Sequence, residues 1–109
     1  LENLINDVRK ELDAPDMKFV IANTGMVGWP EEGKDGGIRA ELCETQLSIA
    51  DPKKFPKFNG NVAAIETRDF DRPVEMSPSN FGYHWKHNGE SHWLVGEAMA
   101  NEMIKLMKP

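Results

Sequence analysis

The sequence predicts an α/β fold in which parallel strands are flanked by helices. Two short apolar segments predict strands, and three amphipathic segments predict helices before, between and after them. Two buried strands joined by a helical crossover form the right-handed unit from which parallel sheets are built. Two strands alone cannot bury both faces and both edges of such a sheet, so the pattern favours the C-terminal portion of a larger α/β domain. A small intertwined dimer is the alternative.

The first half of the chain supplies one helix, one strand and a long loop. The helix is predicted over residues 2–13, and its apolar stripe consists of Leu4, Ile5, Val8 and Leu12. Pro15 ends it, because proline disfavours a helical backbone at the residue before it. A short apolar run predicts a strand over residues 18–22, and residues 23–37 form a loop. Loops of that length in small domains are often functional.

The second half repeats the alternation. A helix is predicted over residues 38–50 and a strand over residues 62–67, with proline and glycine between them. Residues 68–87 are irregular, and the last helix is predicted from Asn88 to about residue 107. Asn88 is a suitable N-cap, since its side chain can accept a hydrogen bond from a free amide in the first turn.

Composition narrows the class of protein. A chain of 109 residues has no room for two independent cores, and residues 1–109 are interpreted as a single C-terminal fragment of one domain. The 39% hydrophobic share is ordinary for a globular protein. The net charge of −5 and the scattered basic residues argue against nucleic acid or an anionic membrane as a partner. No apolar run approaches the roughly 20 residues that span a bilayer. The single cysteine, Cys43, excludes an internal disulfide and a zinc site of several thiolates.

Candidate catalytic groups follow the second predicted strand. Ligands of open α/β sheets bind beyond the carboxyl ends of the strands. The loop at that end contains His84, with Asp69 and Asp71 directly after the strand. An imidazole there can act as a general base toward a serine, held in place by a carboxylate. A structural histidine that donates to the backbone is the alternative for His84. No Gly-x-Ser-x-Gly motif occurs, so a serine nucleophile would lie outside these residues.

Metal binding is a further hypothesis for the same region. The possible ligand types cluster there as His84, His87, Glu90 and His92. Their spacing does not match the pattern of two histidines on one helix face with an internal glutamate. The alternative for His87 and His92 is that they are surface or helix-start polar residues.

The same region resembles a known family. Residues 78–91 (PSNFGYHWKHNGES), followed by WLVGEAM at residues 93–99, look like the end of bacterial carbohydrate acetylesterases. These are relatives of sialate O-acetylesterases and acetyl xylan esterases within the SGNH hydrolase superfamily. Residues 4–9, 19–26 and 60–68 resemble further segments of the family, and the similarity extends over nearly the whole chain.

The resemblance implies a flavodoxin-like three-layer fold and hydrolysis of acetyl esters on sugars, without a metal or other cofactor. The expected partners are an acetylated carbohydrate as substrate and the missing N-terminal half of the same domain. That half would supply the serine nucleophile and the oxyanion donors. His84 matches the family's catalytic histidine.

One position departs from the family pattern. The superfamily commonly has an aspartate three residues before the catalytic histidine, and Phe81 stands there in this sequence. We expect Asp71 to orient His84 instead, with Asp69 or a backbone carbonyl as alternatives. Trp29 and Trp85 are candidates for stacking on a sugar ring or for packing.

The sequence therefore supports two hypotheses about function. The leading hypothesis is a carbohydrate acetylesterase in which this chain supplies the catalytic histidine. The alternative is a non-catalytic α/β binding or assembly module that is complete in itself, for which a dimer is one possible form.

Overall fold

The computed structural model describes residues 1–108 and has the predicted alternation of helices and strands. Its main elements are α1 (Glu2–Glu11), β1 (Phe19–Ala22), α2 (Gly37–Leu47), β2 (Val62–Ile65) and α3 (Gly89–Met107). Short 3₁₀ turns occupy parts of the segments between α2 and α3. The α/β fold class is thus confirmed.

The two strands pair in parallel. The register places Phe19 opposite Val62 and Ala22 opposite Ile65. With α2 as the crossover, the loops that follow the two strands leave from the same edge of the sheet. The predicted parallel arrangement is confirmed, and the carboxyl ends of both strands lie at one edge of the sheet.

The core lies on one face of the sheet. Strand side chains alternate between the two faces, and one alternating set packs in a single cluster whose members are Ile5, Phe19, Ile21, Ile49, Phe55, Phe58, Val62 and Ala64. Arg9 ties α1 to this cluster, because its guanidinium donates to the Met17 carbonyl and to Asn61 Oδ1. The long helix α3 packs across both strands.

Element ends differ from the predicted ones by a few residues. The strand predicted to reach Thr67 ends at Ile65, because the Thr67 amide donates to the side chain of Asn23 instead of continuing the ladder. The predicted helix over residues 38–50 is an α-helix only to Leu47 and ends in a 3₁₀ turn, Ser48–Ala50.

The accessible surface of the chain is larger than that of a typical folded monomer of the same mass. Its accessible area is 7322 Å², whereas a folded monomer of 12.3 kDa exposes about 6,100 Å². Its radius of gyration is 15.5 Å, against about 13 Å for a self-contained domain of this length. Within residues 1–108, no helix is long and apolar enough to cross a bilayer.

Candidate functional site

Buried polar contacts join the two loops at the carboxyl edge of the sheet. Asn23 Oδ1 accepts hydrogen bonds from the Thr67 amide at 2.9 Å and from its hydroxyl at 2.7 Å. The Gly25 amide donates to the same hydroxyl. A Cβ atom at Gly25 would lie 2.6 Å from the Arg68 amide nitrogen, so only glycine permits this close approach. These contacts hold the two loops in a fixed position relative to each other, and we call Asn23, Gly25 and Thr67 the platform.

An ion network built on Arg68 lies beside this platform. The guanidinium is 5% exposed and bonds to Glu66 and Glu44, each at 2.6 Å. Partial burial favours the protonated form of Glu66, but hydrogen bonds from Arg68 and Asn23 outweigh it and lower the pKa of Glu66 to about 2. The same carboxylates raise the pKa of Arg68. Both groups stay charged at any physiological pH, so the network is a scaffold rather than a proton-transfer site.

The two tryptophans considered for sugar stacking differ in exposure. Trp29 is half exposed, but the Arg68 guanidinium lies 3.8 Å from its ring centroid and its indole N–H donates to Asp69. Trp85 is buried. Trp85 therefore packs, and one face of Trp29 is already occupied by a cation.

A left-handed turn presents His84. All four residues of His84–His87 have positive φ, between 52° and 59°, although none is glycine. The left-handed conformation costs a non-glycine residue about 1–2 kcal/mol. Such a turn persists only where its surroundings hold it.

Lys86 anchors this turn to the carboxyl edge. Its ammonium contacts both oxygens of Asp71, at 2.5 and 2.7 Å, and donates to the Arg72 carbonyl at 2.8 Å. Gly28 from the first loop lies directly against Asp71. The turn is thereby held over the loops that follow both strands.

The His84 side chain is exposed at this position. Its ring meets the ring of Tyr83 edge to face, with centroids 4.9 Å apart. Within residues 1–108, His84 forms no side-chain hydrogen bond. The structure pairs Asp71 with Lys86 instead, so Asp71 does not orient the imidazole by direct contact, contrary to our expectation. Asp69 accepts from Trp29 and does not contact His84 either.

The other histidines do not join His84 in a metal site. Within the described part of the chain, no group of three or more His, Cys, Asp or Glu side chains is arranged to hold a metal ion. His87 bonds to Ser79, and Glu90 pairs with Arg72. His92 lies on α3.

Sequence reasoning did not find the pairing of Ser79 with His87. Ser79 Oγ lies 2.8 Å from His87 Nδ1. The Ser79 amide also donates to the Lys86 carbonyl, so the serine closes the base of the left-handed turn. A separation of eight residues across an irregular loop carries no recognisable motif, which is why the pair was not predicted.

Two adjoining cavities open on the same edge. The smaller, of about 260 Å³, lies between the first loop and α2, near Trp29, Cys43 and Arg68. The larger, of about 360 Å³, reaches the loop that contains His84 and is lined by Thr24, Met26, Val27, Arg39, Leu42, Gly82 and Tyr83. Thr24, Val27 and Arg39 line both cavities. Together the two cavities form one groove at the carboxyl edge of the sheet. It is large enough for a small ligand and extends to Tyr83, the residue next to His84.

Comparison with known protein families, curated proteins and solved structures finds no match to this chain. Its functional assignment rests on the contacts described above.

Proposed function

We propose that this chain is part of a serine ester hydrolase that removes O-acetyl groups from carbohydrates, with His84 as its general base. The observation that carries the proposal is the exposed imidazole of His84 on an anchored left-handed turn at the carboxyl edge of a parallel sheet. Backbone strain of this kind concentrates at functional sites. The carboxyl edge is also where α/β enzymes bind their ligands.

In each half of the proposed reaction, His84 accepts one proton and then returns one. It accepts the proton of the serine hydroxyl while the serine oxygen attacks the acetyl carbonyl. The tetrahedral intermediate collapses, and the imidazolium returns the proton to the departing sugar oxygen. His84 then deprotonates a water molecule, whose oxygen attacks the carbonyl of the acetyl-serine. Acetate leaves as the ester bond to serine breaks, and the imidazolium returns the proton to the serine oxygen.

The nucleophile and the oxyanion donors are proposed to come from an N-terminal half of the same domain, which completes a flavodoxin-like sheet. The excess surface of about 1,200 Å² over a typical monomer of this mass supports this arrangement. An interface between two stable partners buries about 800 Å² on each side. The chain thus exposes enough additional surface to accommodate such a half.

Asp71 acts in this proposal as a positioning residue. Its carboxylate holds Lys86, and Lys86 holds the turn that carries His84. Asp71 therefore affects the imidazole through one intermediate side chain. Its replacement is expected to lower the rate less than replacement of His84 does.

The test is acetyl-ester hydrolysis by the proposed longer protein, in which an N-terminal half precedes residues 1–109. Replacing His84→Ala should lower the rate on 4-nitrophenyl acetate at least ~100-fold, because general-base catalysis contributes about that much. His92→Ala is the matched control, since His92 is exposed on α3, and it should retain the rate. Full activity of the His84 variant would refute the proposal.

A self-contained alternative uses Ser79 as the nucleophile and His87 as its base. A fluorophosphonate, which reacts covalently with activated serines, distinguishes the two. We expect it to label a serine outside residues 1–109 in the longer protein. Labelling of Ser79, abolished by His87→Ala, would replace our proposal with this dyad.

A non-catalytic assembly module is the second candidate. The observation that favours it is the exposed apolar side of α3, where Trp93 and Met107 are each at least 70% exposed. This candidate expects a stable dimer of residues 1–109 in sedimentation and no hydrolysis by the longer protein. The acetylesterase proposal expects hydrolysis that depends on His84.

A further inference from the structure

Arg39 lies where the two cavities at the carboxyl edge adjoin, and it is exposed on the first turn of α2. Within residues 1–108 it forms no ion pair and no side-chain hydrogen bond. The other arginine of the groove, Arg68, is already neutralised by Glu44 and Glu66. Arg39 is thus the cation of this groove that is free to bind a ligand.

The remainder of the larger cavity is mostly apolar. Met26, Val27 and Leu42 form one part of its lining, and Tyr83 with Gly82 forms another. Thr24 adds a hydroxyl, but this group already contacts Gln46 Oε1 at 3.1 Å. An unmodified sugar ring would leave most of its hydroxyl groups without partners against such a lining.

The larger cavity carries no carboxylate in its lining. Glu31, which lines the smaller one, is paired with Lys34. The groove thus combines the guanidinium of Arg39, which is unpaired within residues 1–108, with an apolar lining. A ligand with one carboxylate and an apolar ring matches both features. Its carboxylate would meet the planar guanidinium of Arg39 in a two-point contact, and its ring would lie against the aliphatic side chains and Tyr83.

We infer that this groove is a binding site for aryl carboxylates, with Arg39 as the anion-binding residue and Tyr83 as an aromatic residue of its lining. The inference goes beyond the proposed function, since ester hydrolysis by itself requires no anionic group in the ligand. Binding is measured without any chemical step, so its outcome is independent of the role of His84.

The experiment uses Tyr83, which is the sole tyrosine of the chain, as the reporter. Ring-¹³C tyrosine incorporated into the protein of residues 1–109 gives one labelled residue, whose NMR signals are followed during titration. Benzoate is the probe, and benzamide is the neutral control of nearly the same shape. Benzoate should shift the Tyr83 signals until they saturate at millimolar concentration. Its affinity should be at least tenfold higher than that of benzamide.

Arg39→Gln should weaken benzoate binding at least tenfold, whereas Lys10→Gln, an exposed cation on α1, should leave it unchanged. A second variant, Leu42→Glu, keeps Arg39 but adds a carboxylate to the lining, and it should also abolish binding. Leu42 is 45% exposed, so this change tests charge without opening the core. Increasing salt should weaken binding of benzoate.

Three results would overturn the inference. They are Tyr83 signals that do not respond to benzoate, equal affinities for benzoate and benzamide, and unchanged binding in the Arg39→Gln protein. A hydrolase that requires His84 but fails these tests would retain the proposed function and lose this site.

Discussion

At the scale of single residues, Arg68 connects more of the candidate site than any other side chain described above. It bridges Glu44 from α2 and Glu66 from the end of β2, and it lies on the ring of Trp29 from the first loop. The sequence gives no sign of this role, because Arg68 stands in a polar stretch that predicts a solvated loop. Its guanidinium is buried among groups from three separate segments, which only the folded chain brings together.

Removing the Arg68 charge should destabilise the protein. In Arg68→Met, the partly buried Glu66 carboxylate loses its partner, and we expect the free energy of unfolding to fall by about 2 kcal/mol. Lys34→Met is the control, because both side chains of the Lys34–Glu31 pair are exposed. This pair should contribute well under about 1 kcal/mol to the free energy of unfolding. Urea unfolding measures both. Equal losses in the two variants would contradict the scaffold role of Arg68.

The lowered pKa of Glu66 predicts a pH dependence of stability. The folded-state pKa of about 2 lies below the ordinary 4.5, so the folded state binds fewer protons than the unfolded state in this range. This contribution is therefore complete above pH 4.5 and is lost as the pH falls from about 4.5 to about 2. Glu66→Gln should flatten the decline seen in urea unfolding between these values. The exposed Glu75→Gln control should leave it intact, and a decline unchanged in both variants would refute the assignment.

At the scale of elements, the left-handed turn over His84–His87 is the feature that sequence patterns did not predict. Residues 68–87 read as irregular, and four consecutive non-glycine residues with positive φ have no sequence signature. The turn exists because Trp85 is buried and Lys86 is held by Asp71, both of which are tertiary contacts. The helices and strands, by contrast, follow from local apolar periodicity and were predicted to within a few residues.

Lys86→Met should destabilise this turn. The substitution removes three contacts of the ammonium, and the Asp71 carboxylate, which is only 20% exposed, loses its ion-pair partner. We expect a loss of about 2 kcal/mol in the free energy of unfolding. Lys86→Arg keeps the charge and should recover part of this loss. In the longer protein, the Met variant should lower kcat more than it changes KM. A Met variant as stable and active as the original would refute the anchoring role.

The start of α3 is the element boundary for which the sequence prediction is confirmed in detail. Asn88 Oδ1 accepts from the Ser91 amide at 3.0 Å, and its side-chain amide donates to the Met76 carbonyl and to Ser77 Oγ. The cap was predictable from residue type, whereas the second pair of contacts was not.

Replacing this cap separates its two roles. Asn88→Ala loses both and should cost about 2 kcal/mol of stability. Asn88→Asp keeps the acceptor and loses the donors, so its loss should be smaller. Thermal unfolding compares the two with the original protein. An Asp variant less stable than the Ala variant would show that anchoring of the preceding loop, and not capping, dominates.

At the scale of the whole molecule, the described residues form a two-stranded parallel sheet, and their accessible area exceeds that of a typical monomer of this mass. The interpretation that these residues belong to a larger α/β unit stays a prediction. The order of elements could be predicted because each has its own apolar pattern. The contacts of Asp71 could not, because the choice between His84 and Lys86 depends on how a loop folds over the sheet edge.

The most direct test of His84 as the general base is chemical rescue of its removal in the proposed longer protein. Glycine tolerates the positive φ of this position, so His84→Gly removes the imidazole without straining the turn. We expect His84→Gly to lose at least ~100-fold in hydrolysis of an acetylated sugar, and added imidazole to restore part of the rate in proportion to its concentration. Undiminished hydrolysis by His84→Gly would contradict the role of His84 as the general base.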